Sequence, residues 1–212
     1  LARSLNHLLP GDIGIVAVSA CDDEFNPRFA AVWREYRYRL FPGIVSPFVD
    51  RYAWTPRFSL DMNAMIDAAR RLEGRNDFAT FASGGEGVPW SERASRPRGT
   101  MRTLFRCDCD EVRTVDGPLA GSPVSGIEIR VIADGFLPQM VRNITGALAE
   151  VGRGSREPAW IDELIAAKDR RLGPEAAPAR GLTLWRVEFS DAACSLVDAR
   201  RRDERAGNRG AH

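Results

Sequence analysis

The sequence predicts an α+β fold: a mixed, mainly antiparallel sheet with helices on one face, truncated at its N-terminal end. Segments of two-residue alternation and segments of helical spacing follow one another without the regular strand–helix alternation of a parallel sheet. The 212 residues, 44% hydrophobic and 28% charged, have the size and makeup of one globular domain or slightly more. The first residue is Leu1 rather than methionine, so the chain reads as processed or cut at its start.

The elements follow in order. Leu1 to Leu9 reads as the end of a helix closed by Pro10-Gly11, and Ile13 to Ala20 alternates as a strand does. Phe29 to Phe41 is a longer strand, with Tyr36 and Tyr38 on one face and Arg37 and Arg39 on the other. Leu60, Ala64, Met65, Ala68 and Leu72 recur at helical spacing, and Gly74 stands just beyond as a stop. Arg102 to Val112 and Gly126 to Ala133 are strands. Pro138 to Val151 is a helix, Pro158 to Lys168 is another with Pro158 placed to start it, and Leu182 to Phe189 is a last strand. Ser83 to Gly99, rich in Gly, Ser, Pro and Arg, is a long loop of the kind that carries function or stays disordered. Ala192 to His212 has few large apolar residues and reads as a disordered tail.

The net charge of +1 says little about partners. The basic set says more: Lys168 is the only lysine, so nearly every cation is an arginine. A GC-rich genome accounts for that, and a planar donor that stacks on bases also suits RNA. No run reaches membrane-spanning length, and nothing near Leu1 resembles a signal peptide. Of the cysteines Cys21, Cys107, Cys109 and Cys194, the pair Cys107 and Cys109 falls on one face of a strand. With distant His7 they make a poor zinc set, so no metal is expected and free thiols in a reducing cytoplasm are the simple reading.

The run from Phe136 to Gly152 carries the most chemistry. Met140, Val141, Ile144, Leu148 and Val151 recur near helical spacing and bury one face, yet Arg142 sits among them. An arginine there is costly without an anion. That anion is either a structural carboxylate such as Asp134 or Glu150, or a functional group.

Five stretches in order resemble the tRNA pseudouridine synthase A family. LNHLLPGDI (residues 5–13) resembles the segment ahead of the family's central strand, and the stretch from Phe25 to Tyr38 resembles its FHARF…YRY region. LEGRNDFATF (72–81) is similar to its L-x-G-x-H-D-F-x-x-F motif. The helix run matches its M-V-R-N-I, and KDRRLGPEAAPARGL (168–182) resembles its K-D-R…A-P-x-x-G-L ending. The likeness runs from about Leu1 to Phe189, and its weight lies in the order of the motifs. It implies a pseudouridine synthase-like fold, with residues 1–24 a remnant of an N-terminal half, 25–190 the C-terminal domain and 191–212 a basic tail. It also implies a cytoplasmic, cofactor-free isomerase, a homodimer when complete, that converts uridine to pseudouridine in the anticodon stem-loop of tRNA.

In the family a catalytic aspartate in a G-R-T-D-A-G motif breaks the bond between the sugar and N1 of uracil, and the base rejoins through C5. These residues contain no such motif, so the nucleophile is expected to be missing. By the resemblance, Arg142 holds that aspartate ionised and aimed, and Tyr36 contacts the flipped base, although a strand tyrosine also serves as core. Phe25, Asn26, Pro27, Arg28 and Phe29 match the tRNA-contacting FHARF element, with Asn26 and Pro27 in place of histidine and alanine; Phe25 and Phe29 suit a core equally. Arg96, Pro97, Arg98, Gly99 and Thr100 fall where the family's second tRNA-contacting loop lies. Arg93 and Arg102 extend that cluster, for which phosphate is the natural partner and a solvated loop the alternative. Asp77 reads as a backbone cap and Asp134 as a turn, not as substitute nucleophiles. A catalytically inactive tRNA-binding protein of the same fold is the alternative function, and an assembly partner that ignores RNA is a third.

Overall fold

The computed structural model describes residues 1–21, 23–27, 29–43, 47–83, 99–114 and 124–189. The loop expected across residues 83–99 lies mostly outside them, and the tail expected at 192–212 entirely so. The chain forms two compact units, Leu1–Ala30 and a larger one from Ala31 onward.

In the first unit, α1 spans Ala2–Leu8. The strand expected over Ile13 to Ala20 does not form. Ile13, Val16 and Val18 are at least half exposed, and among the described residues no neighbouring strand completes a ladder with this stretch. Alternation favours an extended chain, but a strand exists only where a second strand takes its N–H and C=O groups. The stretch is tied down instead by the Asn6 amide, which donates to the Ile15 carbonyl (2.9 Å) and accepts from the Ile15 N–H (2.6 Å). The Phe29 and Ala30 N–H groups both donate to the Asn26 carbonyl, so the chain turns before Ala30. The strand expected from Phe29 therefore begins later, at Trp33.

The larger unit is one five-stranded sheet. Its strands are β1 (Trp33–Leu40), β2 (Gly74–Asp77), β3 (Met101–Thr114), β4 (Val124–Ala133) and β5 (Leu182–Glu188). Their order is β2-β3-β4-β1-β5, and every neighbouring pair is antiparallel. β1 lies between β4 and β5, so Tyr36 stands opposite Val131 on one side and Leu184 on the other; a register shift falls between Glu35 and Tyr36 on the β5 side. The edge strand β2 was not expected. At four residues it is too short to show alternation, and Gly74, at φ 99, turns the chain into it.

One face of the sheet carries the core. Tyr38, Leu40, Leu104, Cys107, Cys109, Ile127, Ile129 and Val131 meet two helices, α3 (Met62–Arg71) and α4 (Met140–Gly152). A short helix α2 (Pro47–Asp50) precedes α3, and α5 spans Trp160–Ala167. In α3 the Asp61 carboxylate accepts from the N–H groups of Asn63 and Ala64, satisfying two orphan donors of the first turn. Met65, Ala68, Ala69 and Leu72 are then fully buried. A Cβ on Gly152 would come within 2.7 Å of the Met65 side chain, so glycine there lets α3 and α4 touch. α4 starts at Met140, after Pro138, because Pro138 and Gln139 form a turn closed by the Met140 N–H on the Leu137 carbonyl. Cys107 and Cys109 face this core, and burial pushes both thiols up, Cys109 to about 12.

The opposite face is charged. The Glu128 carboxylate accepts from Arg37 (3.1 Å) and Arg39 (2.9 Å), and Glu35 accepts from Arg37 (2.7 Å). Arg37 also lies over the Trp185 ring at 4.0 Å. No helix among the described residues is long and apolar enough to cross a membrane.

Candidate active site

α4 is buried almost all round. From Met140 to Gly152, Arg142 and Glu150 are the residues that keep partial exposure. Glu150 is at the far end and pairs with Arg153 at 2.6 Å. Arg142 is near the start, where its Nε–H donates to the Ala177 carbonyl at 2.6 Å. The Ala177 N–H returns a bond to the Arg142 carbonyl at 3.0 Å, so helix and segment hold each other at two points. Neither carboxylate weighed as a structural partner reaches Arg142. Glu150 is taken by Arg153, and Asp134 accepts from the Thr103 N–H at 3.0 Å. Among the described residues Arg142 makes no ion pair, so its charge meets a carbonyl dipole and solvent rather than an acid.

Tyr36 is half-buried on the helix-facing side of β1 and sits edge-on to Phe136, with ring centroids 4.8 Å apart at 80°. Phe136 leads into α4, so the strand tyrosine and the approach to Arg142 share one packed margin of the core. Tyr38, on the same strand face, is different. It is fully buried, and its hydroxyl donates to the Pro178 carbonyl at 2.6 Å. Burial raises its ionisation well above the usual phenol range; Arg142 and Arg180, both close enough to act on the phenol, oppose that rise only in part.

A buried polar junction lies beside Arg142. The Asn143 amide donates to the Phe81 carbonyl at 2.6 Å, and its oxygen accepts from Arg170 at 3.1 Å. This draws the K-D-R segment, α4 and the turn after β2 together. Asp77 caps that turn, accepting from the Ala79 N–H at 3.1 Å and from the Thr100 hydroxyl. Lys168 stands 3.8 Å from its other oxygen. Thr100 is thus fixed, and its carbonyl accepts from the Phe78 N–H. Gly99, at φ 48, accepts from Arg102. Arg93, Arg96, Pro97 and Arg98 lie outside the described residues, as does Arg28. In the N-terminal unit Phe25 and Phe29 are 40% and 50% exposed, which is not core packing, and Asn26 supplies the turn carbonyl. Asp169, on the surface, is held down to about 2 by the Arg171 guanidinium and N–H.

The sequence reading passed over Asn143 and the hydroxyl of Tyr38. An asparagine next to an arginine on an otherwise apolar helix was a usable signal, because a buried amide must find partners. Nothing local marked the hydroxyl, whose acceptor is remote in sequence.

A family model described as tRNA pseudouridine synthase matches residues 68–190, which include α4 and the A-P-x-x-G-L segment. The chain is 40% identical to tRNA pseudouridine synthase A of Geobacillus kaustophilus, over 92% of its own length and 69% of the relative's. It is 38% identical to the protein of the same name from Nitratidesulfovibrio vulgaris, over 88% and 71%. With the Bacillus licheniformis protein, again of that name, identity is 35% over 89% and 68%. By these matches, and by an antiparallel sheet whose buried helix carries the M-V-R-N-I run, the chain belongs to the tRNA pseudouridine synthase A family.

Proposed function

We propose that the chain is the greater part of an isomerase that converts uridine to pseudouridine in the anticodon stem-loop of tRNA, and that the carboxylate met by Arg142 comes from sequence not among these 212 residues. The observation that carries this is the guanidinium of Arg142, pinned through Nε to the Ala177 carbonyl with no ion pair among the described residues. A fork held in that way can take a carboxylate through its remaining N–H groups and keep it ionised. Asp77 and Asp134 are both committed to backbone groups, so neither is a candidate nucleophile.

In this reading the carboxylate acts at the sugar and the C1′–N1 bond breaks. The uracil turns, C5 bonds to C1′, and the C5 proton is lost while N1 gains one, so the reaction is a net isomerisation without a cofactor. Tyr36 supports the base after it leaves the stack. Asn26, Pro27, Arg28 and the flanking Phe25 and Phe29 touch the tRNA, as do Arg96, Pro97, Arg98, Gly99 and Thr100. The enzyme works in the cytoplasm as a homodimer.

The alternative, a tRNA-binding protein without turnover, is favoured by one observation: the sequence holds no G-R-T-D-A-G. Sequencing the source DNA directly upstream of the Leu1 codon separates the two. An in-frame stretch encoding that motif is expected. A stop codon with no motif upstream would overturn the isomerase reading in favour of the binding protein.

A further inference from the structure

We infer that Tyr38 is a positioning residue for Arg142, acting through the Ala177–Pro178 peptide. The inference rests on the reading of Arg142 as the cation of the active site.

The segment from Pro174 to Pro178 crosses α4 at close quarters. A Cβ on Gly146 would lie 2.0 Å from the Glu175 carbonyl oxygen, so the backbone of the segment lies directly on the helix there. Next along the segment, Ala177 and Arg142 exchange two hydrogen bonds, one of them through the guanidinium Nε–H. The following carbonyl, that of Pro178, accepts the Tyr38 hydroxyl. The Pro178 ring locks its φ (−53°), so ψ of Pro178 is the one soft torsion left between the Ala177 and Pro178 carbonyls. A hydrogen bond on the second restricts that torsion and so restrains the direction of the first.

Tyr38 is suited to that task. Its ring is fully buried and lies edge-on to Trp54. Gly181 is pressed so near that an added Cβ would fall 2.6 Å from the Tyr38 ring. The hydroxyl has little freedom to swing elsewhere, and burial keeps it protonated and able to donate. Arginine has a long, flexible stem, and a fork is useful to a carboxylate only if its plane is set in advance. Here the plane is set by where the Ala177 oxygen points. The chain from Tyr38 to Pro178 to Ala177 to Arg142 thus carries the rigidity of the sheet out to the guanidinium.

The test uses nitrogen-15 arginine-labelled protein and proton exchange at the side-chain Nε–H groups. Arg142→Lys identifies the Arg142 resonance by removing it. In the parent protein the Arg142 Nε–H should exchange slowly. Tyr38→Phe, which keeps the ring, should speed that exchange about tenfold, the loss expected when one support of a buried hydrogen bond goes. The Arg37 Nε–H, on the opposite face of β1, and the amides of β1 and β4 should stay within about twofold. Pro178→Ala, at a half-buried position, should shift Arg142 in the same direction and guards against a Tyr38 variant that folds poorly.

Unchanged exchange at Arg142 in both variants would overturn the inference. So would equal acceleration at Arg37 and the core amides, because that is general loosening. The underlying reading fails separately: if Arg142→Lys kept turnover, the site assignment and this inference would fall together. If Arg142→Lys lost turnover while exchange stayed unchanged, only the inference would fall.

Discussion

Arg142 on α4 and Arg37 on β1 are both partly buried arginines, and they are held in opposite ways. Arg37 lies between Glu35 and Glu128, with the Trp185 ring over it. Its charge is spent inside the molecule. Arg142 is held by a carbonyl and by the turn of its own helix, and no acid among the described residues neutralises it. The first arrangement is what stability asks of a guanidinium. The second leaves a fixed fork with a free charge, which suits transient recognition of an anion. The position of a cation in the fold therefore says less about its role than the identity of what already holds it.

Four substitutions or titrations sharpen this contrast. The largest effect should come from Gly146→Ala, whose new Cβ falls within 2.0 Å of the Glu175 carbonyl oxygen. The segment over α4 must move, and chemical denaturation should show a loss of about 3 kcal/mol. Next is Glu128→Ala, which strips Arg37 and Arg39 of their shared acid. It should cost about 2 kcal/mol, less than a fully buried pair, because Arg39 is 44% exposed and water replaces part of the interaction. tRNA turnover should survive it whenever the protein is folded. Arg142→Ala should cost only about 1 kcal/mol in the same denaturation experiment, the value of one hydrogen bond, while turnover is abolished. A loss of stability for Arg142→Ala as large as for Glu128→Ala would break the contrast, since it would make Arg142 a structural cation too.

The last prediction is a pH dependence, which is negligible at neutral pH. Cys107 and Cys109 have thiols raised by burial, Cys109 to about 12. A raised folded value means that the unfolded chain loses its proton first, near pH 8.5. The stability held below that pH should therefore fall as pH rises from there toward 12, by about 1.4 kcal/mol per unit for each ionised thiol. Replacing both cysteines by alanine should flatten the decline, as followed by denaturant midpoints across the alkaline range.

Much of this arrangement was legible in the sequence. The tyrosine and arginine faces of β1 follow from period two, and the two sides of the sheet carry them as expected. α3 announced itself by its apolar spacing and by Gly74. The isolation of Arg142 on an apolar helix was visible as an anomaly before any fold was in hand. Partners remote in sequence were not visible. Glu128 meets Arg37 and Arg39 only once β4 lies beside β1, and Pro178 reaches Tyr38 only once β5 does. Ile13 to Ala20 misled for the same reason: its alternation was real, but a strand is made by its neighbour.

The most direct measurement compares parent and Arg142→Lys for release of tritium from C5-labelled uridine in tRNA, with tRNA affinity measured alongside, in protein that carries the aspartate proposed above. Lysine keeps the charge but loses the fork. The account predicts that C5 proton release falls by at least about a hundredfold while tRNA affinity stays within about twofold. Near-parental release by Arg142→Lys would contradict it, and would mean that the guanidinium on α4 is there for the fold rather than for the chemistry.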